Sequence, residues 1–158
     1  MWRFGDWKNY KKFYSTILFM IMGDLMYNLF TYQAPTWKYN PDFLLLNHTI
    51  VNLWVMITVY PATVLIYLSH FPEKKGRQIL YILFWVFLYG VIELVGYYIF
   101  DAIDHFNGWN MGWSLLFDLI LFIMLPIHHK RPLLAWGLSL IVIIVLLNIF
   151  NVNILEWN

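Results

Sequence analysis

Four ionisable residues sit inside stretches that are otherwise apolar: Asp24 in "MIMGDLMYNLF", His48 in "FLLLNH", Glu93 in "LYGVIELVGYY" and Asp118 in "SLLFDLILF". Carboxylates and an imidazole in such surroundings are the material of cation sites, metal sites and acid–base pairs. On a helix each shares its face with polar or small residues three or four positions away. Asp24 aligns with Tyr27, Asn28 and Thr31, His48 with Asn52, Glu93 with Tyr89, Gly96 and Tyr97, and Asp118 with Ser114. Three carboxylates, one imidazole and no Lys or Arg inside these stretches leave an excess of negative charge. Either some carboxyls stay protonated and hydrogen-bond to Tyr27, Asn28, Asn52 or Ser114, or a bound cation balances them. That cation is the ammonium of a ligand or a metal ion held by His48, Glu93 and Asp118, with His105 as a further ligand.

The elements that carry these residues are membrane spans. A chain of 158 residues that is 61% hydrophobic and 12% charged lies far outside the range of soluble domains, and the sequence predicts an all-α transmembrane helix bundle forming one domain over residues 1–158. Five stretches approach the roughly 20 apolar residues that cross hydrocarbon: about 13–31, 43–69, 79–100, 112–127 and 133–150. The fourth has the shortest uninterrupted apolar run, and a re-entrant segment there would leave four crossings. Pro61 should kink the second, because it cannot donate its backbone hydrogen bond. The fifth, "IVIIVLLNIF", is apolar all round except for Asn148 and reads as a peripheral helix facing lipid.

Nine of the ten Lys and Arg fall on one side of these spans: Arg3, Lys8, Lys11, Lys12, Lys74, Lys75, Arg77, Lys130 and Arg131. Only Lys38 falls on the other. The positive-inside rule then puts the N-terminus in the cytoplasm and the C-terminus outside. No small-residue cleavage site follows the first apolar run, so that span reads as an uncleaved anchor. Ahead of it, residues 1–12 interleave Trp2 and Trp7 with Arg3, Lys8, Lys11 and Lys12, the pattern of an interfacial anchor with rings at headgroup level and cations against anionic lipid. Trp37 reads as part of the aromatic belt, while "NGWN" at 107–110, where Gly108 suits a tight turn, is open between the same belt and a turn that aims its neighbours inward over the pocket.

Depth links the four ionisable residues. At 1.5 Å per residue, Asp24, His48, Glu93 and Asp118 each lie about 8–10 Å below the outer hydrocarbon surface. The inner half offers Ser15, Thr16, Thr58, Tyr60, Thr63 and Tyr67 but no comparable ionisable group, which suits an outward blind pocket better than a pore. The expected pocket comprises Asp24, Tyr27, Asn28, His48, Asn52, Glu93, Tyr97, Ser114 and Asp118. His128 and His129, with His70 at similar depth, have a conceivable haem-ligating geometry, but residues beside Lys130 and Arg131 at a helix end are more simply interface and dipole residues, and haem is not expected. The absence of cysteine excludes disulfides, thiolate metal sites and a Cys nucleophile. No phosphate loop, Ser-nucleophile motif or H-E-x-x-H is present.

"GDLMYN" at 23–28, "NH" at 47–48, Pro61, Glu93, "NGWN" with Trp113 and Ser114, and "HHKRPLLAW" at 128–136 resemble a family of small multi-spanning membrane proteins of spore-forming Gram-positive bacteria. The resemblance covers nearly the whole chain; it implies a bacterial plasma membrane setting and no particular chemistry. The expected partners are the lipid bilayer and a small ligand or cation, not nucleic acid, with oligomerisation open. The first functional expectation is binding of a cation or a polar or cationic ligand in the acidic pocket. The alternatives are an intramembrane enzyme that acts on a lipid or isoprenoid by carboxylate acid–base chemistry, and a structural protein whose buried polar residues only fix helix packing.

Overall fold

The computed structural model describes residues 7–40 and 47–152. A 3₁₀ segment, Trp7–Lys12, leads into α1 (Tyr14–Phe30). After it come β1 (Trp37–Tyr39), α2 (His48–Ser69), α3 (Lys75–Tyr98), β2 (Ile103–His105), α4 (Met111–Lys130) and α5 (Pro132–Ile149). Helices α2 to α5 are long and apolar enough to cross a membrane; α1, with 17 residues, is one residue shorter than α5. The fourth predicted span is thus a full helix of 20 residues. Its start is fixed by Asn110, whose side chain accepts from the backbone N–H of Gly112 and Trp113. The beginning of the second predicted span, 43–46, lies outside the described residues, as do Trp2, Arg3 and the tail from 153.

The two intrahelical prolines are accommodated differently. Pro126 in α4 has no N–H to give the Phe122 carbonyl, and the hydroxyl of Tyr67 donates to that oxygen instead, at 2.6 Å. In α2 the turn before Pro61, Val55–Val59, is a π-turn: Tyr60 N–H bonds five residues back to Val55, and the Thr58 hydroxyl donates to the Trp54 carbonyl at 2.6 Å. The predicted disturbance at Pro61 therefore takes the form of a widened turn.

The two ends of the bundle differ. At the basic end, which carries Lys74, Lys75, Arg77, Lys130 and Arg131, the core is close-packed around Tyr67, fully buried among Phe71, Tyr81, Trp85 and Phe122 with ring centroids 5.1–5.6 Å away. Here α4 holds α3 on one side and α5 on another, while α1 packs on α4 and on the second half of α2. His128 is buried in this half, hydrogen-bonded to Thr16 Oγ1 at 3.1 Å and stacked on Phe19 at 4.2 Å. That corrects the expectation of an inner half without a buried ionisable group: a helix-terminal histidine is covered because α1 lies over it.

At the opposite end the helices spread apart. The first half of α2, His48–Trp54, packs chiefly on β1 and not on a neighbouring helix. A two-stranded antiparallel sheet caps this end, in the register Trp37↔His105, Lys38↔Asp104, Tyr39↔Ile103. Strand alternation puts Trp37, Tyr39, Ile103 and His105 on one face and the opposite charges Lys38 and Asp104 on the other. An Asn-Gly turn follows β2, with positive φ at Asn107 (52°) and Gly108 (85°) and a Trp109 N–H to Phe106 bond of 3.0 Å.

Candidate functional site

The spread helices line a cavity of about 700 Å³, and the three carboxylates of the apolar helical stretches, Asp24, Glu93 and Asp118, all border it. Its lining is mostly apolar. The sheet roofs it with Trp37, Tyr39 and Ile103, and the π-turn of α2 contributes Val55, Thr58 and Val59.

A hydrogen-bond relay that starts in the roof positions Asp24. The backbone N–H of Tyr39 donates to His48 Nδ1 (3.0 Å), so that nitrogen carries no proton and Nε2–H is the donor to Asn28 Oδ1, at 3.1 Å. The Asn28 amide then donates to the Asp24 backbone carbonyl (2.8 Å) and to Asp24 Oδ1 (3.2 Å). Asn52 and Tyr60 lie beside the same carboxylate. Two acceptors in this group have no hydrogen-bond donor among the described residues: Asp24 Oδ2 and Oδ1 of Asn52, the latter residue only 4% exposed. Tyr27 anchors the start of β1, its hydroxyl 3.0 Å from the backbone nitrogen of Trp37 and its ring stacked on Trp37 at 5.1 Å.

Glu93 is held from the other strand. Its Oε1 accepts from His105 Nε2 (2.8 Å) and from the Ser114 hydroxyl (2.5 Å), which itself accepts from Trp109 Nε1 at 2.8 Å. The His105 ring stacks on Tyr97 at 4.8 Å. Gly96, one turn along α3 from Glu93, lets Ile103 of β2 come down: a Cβ there would sit 3.3 Å from Ile103 Cδ1. Asp118 is buried on the cavity wall, within electrostatic reach of Glu93. Above them, burial and then the Asp24 charge push the Tyr39 phenol upward from its ordinary value, so it stays neutral.

Of the nine residues expected in the pocket, Asp24, Tyr27, Glu93, Ser114 and Asp118 line the cavity. Asn28, His48, Asn52 and Tyr97 stand behind them as supports. Several expectations are corrected. Among the described residues no three His, Asp or Glu converge to hold a metal ion, so the ligand set of His48, Glu93 and Asp118 is not assembled. The physical reason is that both His48 nitrogens are committed to Tyr39 and Asn28, while His105 and Ser114 engage one oxygen of Glu93, Oε1. Trp37 is roof, not belt, and Trp7 packs on the core and reaches the cavity, although Lys8, Lys11 and Lys12 beside it are exposed. The fifth helix is peripheral, but Trp136, Ser139, Val142 and Ile143 form one cavity-facing stripe on it. Ser139, three residues after Trp136 in an apolar run, was the signal that could have revealed this stripe.

Comparison with protein-family models, with curated proteins and with solved structures finds no match to this chain.

Proposed function

We propose that this is a five-span protein of a bacterial plasma membrane, N-terminus in the cytoplasm and C-terminus outside, whose capped, outward end binds a ligand carrying an ammonium or similar hydrogen-donating cation. The observation that carries this reading is a cavity lined by three carboxylates and, among the described residues, by no Lys or Arg. The only ion pair among the described residues is Glu93 with His105, and among the same residues Asp24 Oδ2 and Asn52 Oδ1 have no hydrogen-bond donor and Trp85 Nε1, on the same cavity, has no acceptor. A buried acceptor left unpaired costs about 1–3 kcal/mol, so a ligand that supplies N–H groups gains directly from meeting them. Acid–base chemistry on a lipid or isoprenoid would draw on the same carboxylates, with one carboxyl as acid and another as base, since His48 has both nitrogens engaged.

The orientation rests on the nine cations at one end against Lys38 at the other. A topology reporter fused after Glu156 is expected outside, and a cytoplasmic signal would overturn the odd number of crossings. For the site, thermal unfolding in lipid nanodiscs is measured against methylammonium, tetramethylammonium, sodium and magnesium, with urea as a neutral donor. At a hundred times its dissociation constant a ligand adds about 2.7 kcal/mol, a shift of several degrees. An organic cation should produce this shift, and Asp24→Asn and Asp118→Asn should remove it. No shift with any cation, or equal shifts in both variants, would reject the reading.

A further inference from the structure

The cavity has two chemically distinct ends. Near the roof stand Asp24, Tyr39, Glu93 and Asp118; toward the basic end the lining turns to Phe19, Met20, Met124 and Trp136. A hydrated inorganic ion needs no such apolar extension. An amphiphile does.

The cavity also has a side opening that its helical geometry locates. Helices α1 and α5 meet at their basic ends, where Phe19 packs edge-on against Trp136 at 4.8 Å, but make no extensive contact beyond that point. With about 100° of turn per residue, Gly23 lies about 40° round α1 from Phe19, which faces α5, and about 140° from Asn28, which faces α2. Gly23 lines the cavity and is exposed, and a Cβ added there would meet nothing within 4 Å. Across the gap runs the stripe from Trp136 through Ser139 and Val142 to Ile143, seven residues or about 10 Å of α5. The residue before the intramembrane aspartate therefore sits at a lateral mouth, and its missing side chain keeps that mouth open.

We infer that the ligand is a single-chain amphiphile of the surrounding leaflet, its ammonium head at Asp24 and its chain lying in the cleft between α1 and α5, which it enters past Gly23. This rests on the cation-binding reading above and names the class and route of the ligand. Charge complementarity fixes the head; the apolar cleft, open on its side to hydrocarbon, fixes the chain. Because lipid is as apolar as the cleft, the chain adds position more than affinity. The test must therefore read position.

The probe is dodecylammonium carrying a diazirine at mid-chain, incorporated into phosphatidylglycerol nanodiscs that hold the full-length protein. After irradiation, peptide mass spectrometry maps the adducts. Labelling is expected on α1 and α5 around Phe19, Val142 and Ile143, reduced several-fold by excess dodecylammonium and unaffected by dodecanol. Gly23→Trp should abolish this competed labelling, as should Val142→Trp from the opposite wall. Phe87→Trp, exposed on α3 and outside the cavity lining, should leave it intact. Either cleft variant that retains its unfolding temperature suffices, and if neither does, the competed adduct map of the unmodified protein decides. Competed adducts on α2 and α3 instead, or uniform uncompeted labelling of all exposed faces, would overturn the inference. If methylammonium still stabilises the protein through Asp24 while the chain-bearing probe shows no competed position, the amphiphile is wrong and cation binding stands. If neither behaves as described, both fall.

Discussion

The two halves of the bundle solve the problem of buried polarity in opposite ways. At the basic end most polar side chains have a partner inside the protein: Tyr67 donates to the carbonyl orphaned by Pro126, Thr16 pairs with His128, and the Tyr81 hydroxyl donates to the Tyr67 carbonyl at 3.2 Å. At the capped end the polar groups are positioned by relays through His48 and His105, yet among the described residues Asp24 Oδ2 and Asn52 Oδ1 are left without donors. Packing and mostly satisfied hydrogen bonds stabilise the first half, where Trp85 Nε1 is the exception among the described residues; the second half keeps acceptors that no described residue pairs. Stability and binding are therefore separable by position, and substitutions can test that separation.

The largest effect on folding is expected from Phe122→Ala, which removes a fully buried ring from the basic-end core and should cost about 3–5 kcal/mol in a mixed-micelle unfolding titration. Tyr67→Phe should follow at about 1–3 kcal/mol, because it leaves the Phe122 carbonyl unpaired. Neither should alter which cations bind, when measured at a temperature where the variant remains folded. Asp24→Asn reverses the pattern. An amide at that depth still hydrogen-bonds, so stability should change by less than about 1 kcal/mol, whereas cation affinity should fall at least tenfold, or about 1.4 kcal/mol. Equal loss of stability and binding in all three variants would dissolve the distinction between the halves.

His48→Ala sits between these classes. It frees the Tyr39 N–H and the Asn28 amide together, and should cost about 0.6–2 kcal/mol. Its sharper signature is faster hydrogen exchange at the Tyr39 amide with no change at Tyr67. The smallest effect should appear in alkaline titration. Tyr39 has a raised folded-state value, so its neutral form favours folding; that contribution is complete below the unfolded value near 10 and is lost as pH rises beyond it. Tyr39→Phe should flatten this alkaline decline, seen as unfolding temperature against pH.

Much of this arrangement could be read from residue order, because membrane spans impose length and hydropathy on their sequence. The common depth of Asp24, Glu93 and Asp118 follows from counting rises along three helices, and the structure does set all three on one cavity. What could not be read depends on contacts between distant positions. Strands β1 and β2 have three residues each and pair across more than sixty intervening positions, too short for an alternation signal. Without that pairing, His105 reads as a loop residue and not as the partner of Glu93. The expected metal ligands failed for the same reason: depth brought His48 level with the carboxylates, but only the register of β1 shows that its ring is turned to Tyr39 and Asn28. The proline sites show the converse. Pro126 announces an orphaned carbonyl at Phe122 from sequence alone, but the donor comes from Tyr67, fifty-five residues earlier.

The most direct test of the central claim is a calorimetric titration of the nanodisc-embedded protein with the organic cation that most raises its unfolding temperature, run in parallel on Asp24→Asn/Asp118→Asn. The account predicts a saturable one-to-one isotherm for the unmodified protein and no measurable isotherm for the double variant, with both still folded by circular dichroism. Matching isotherms from the two proteins would contradict it.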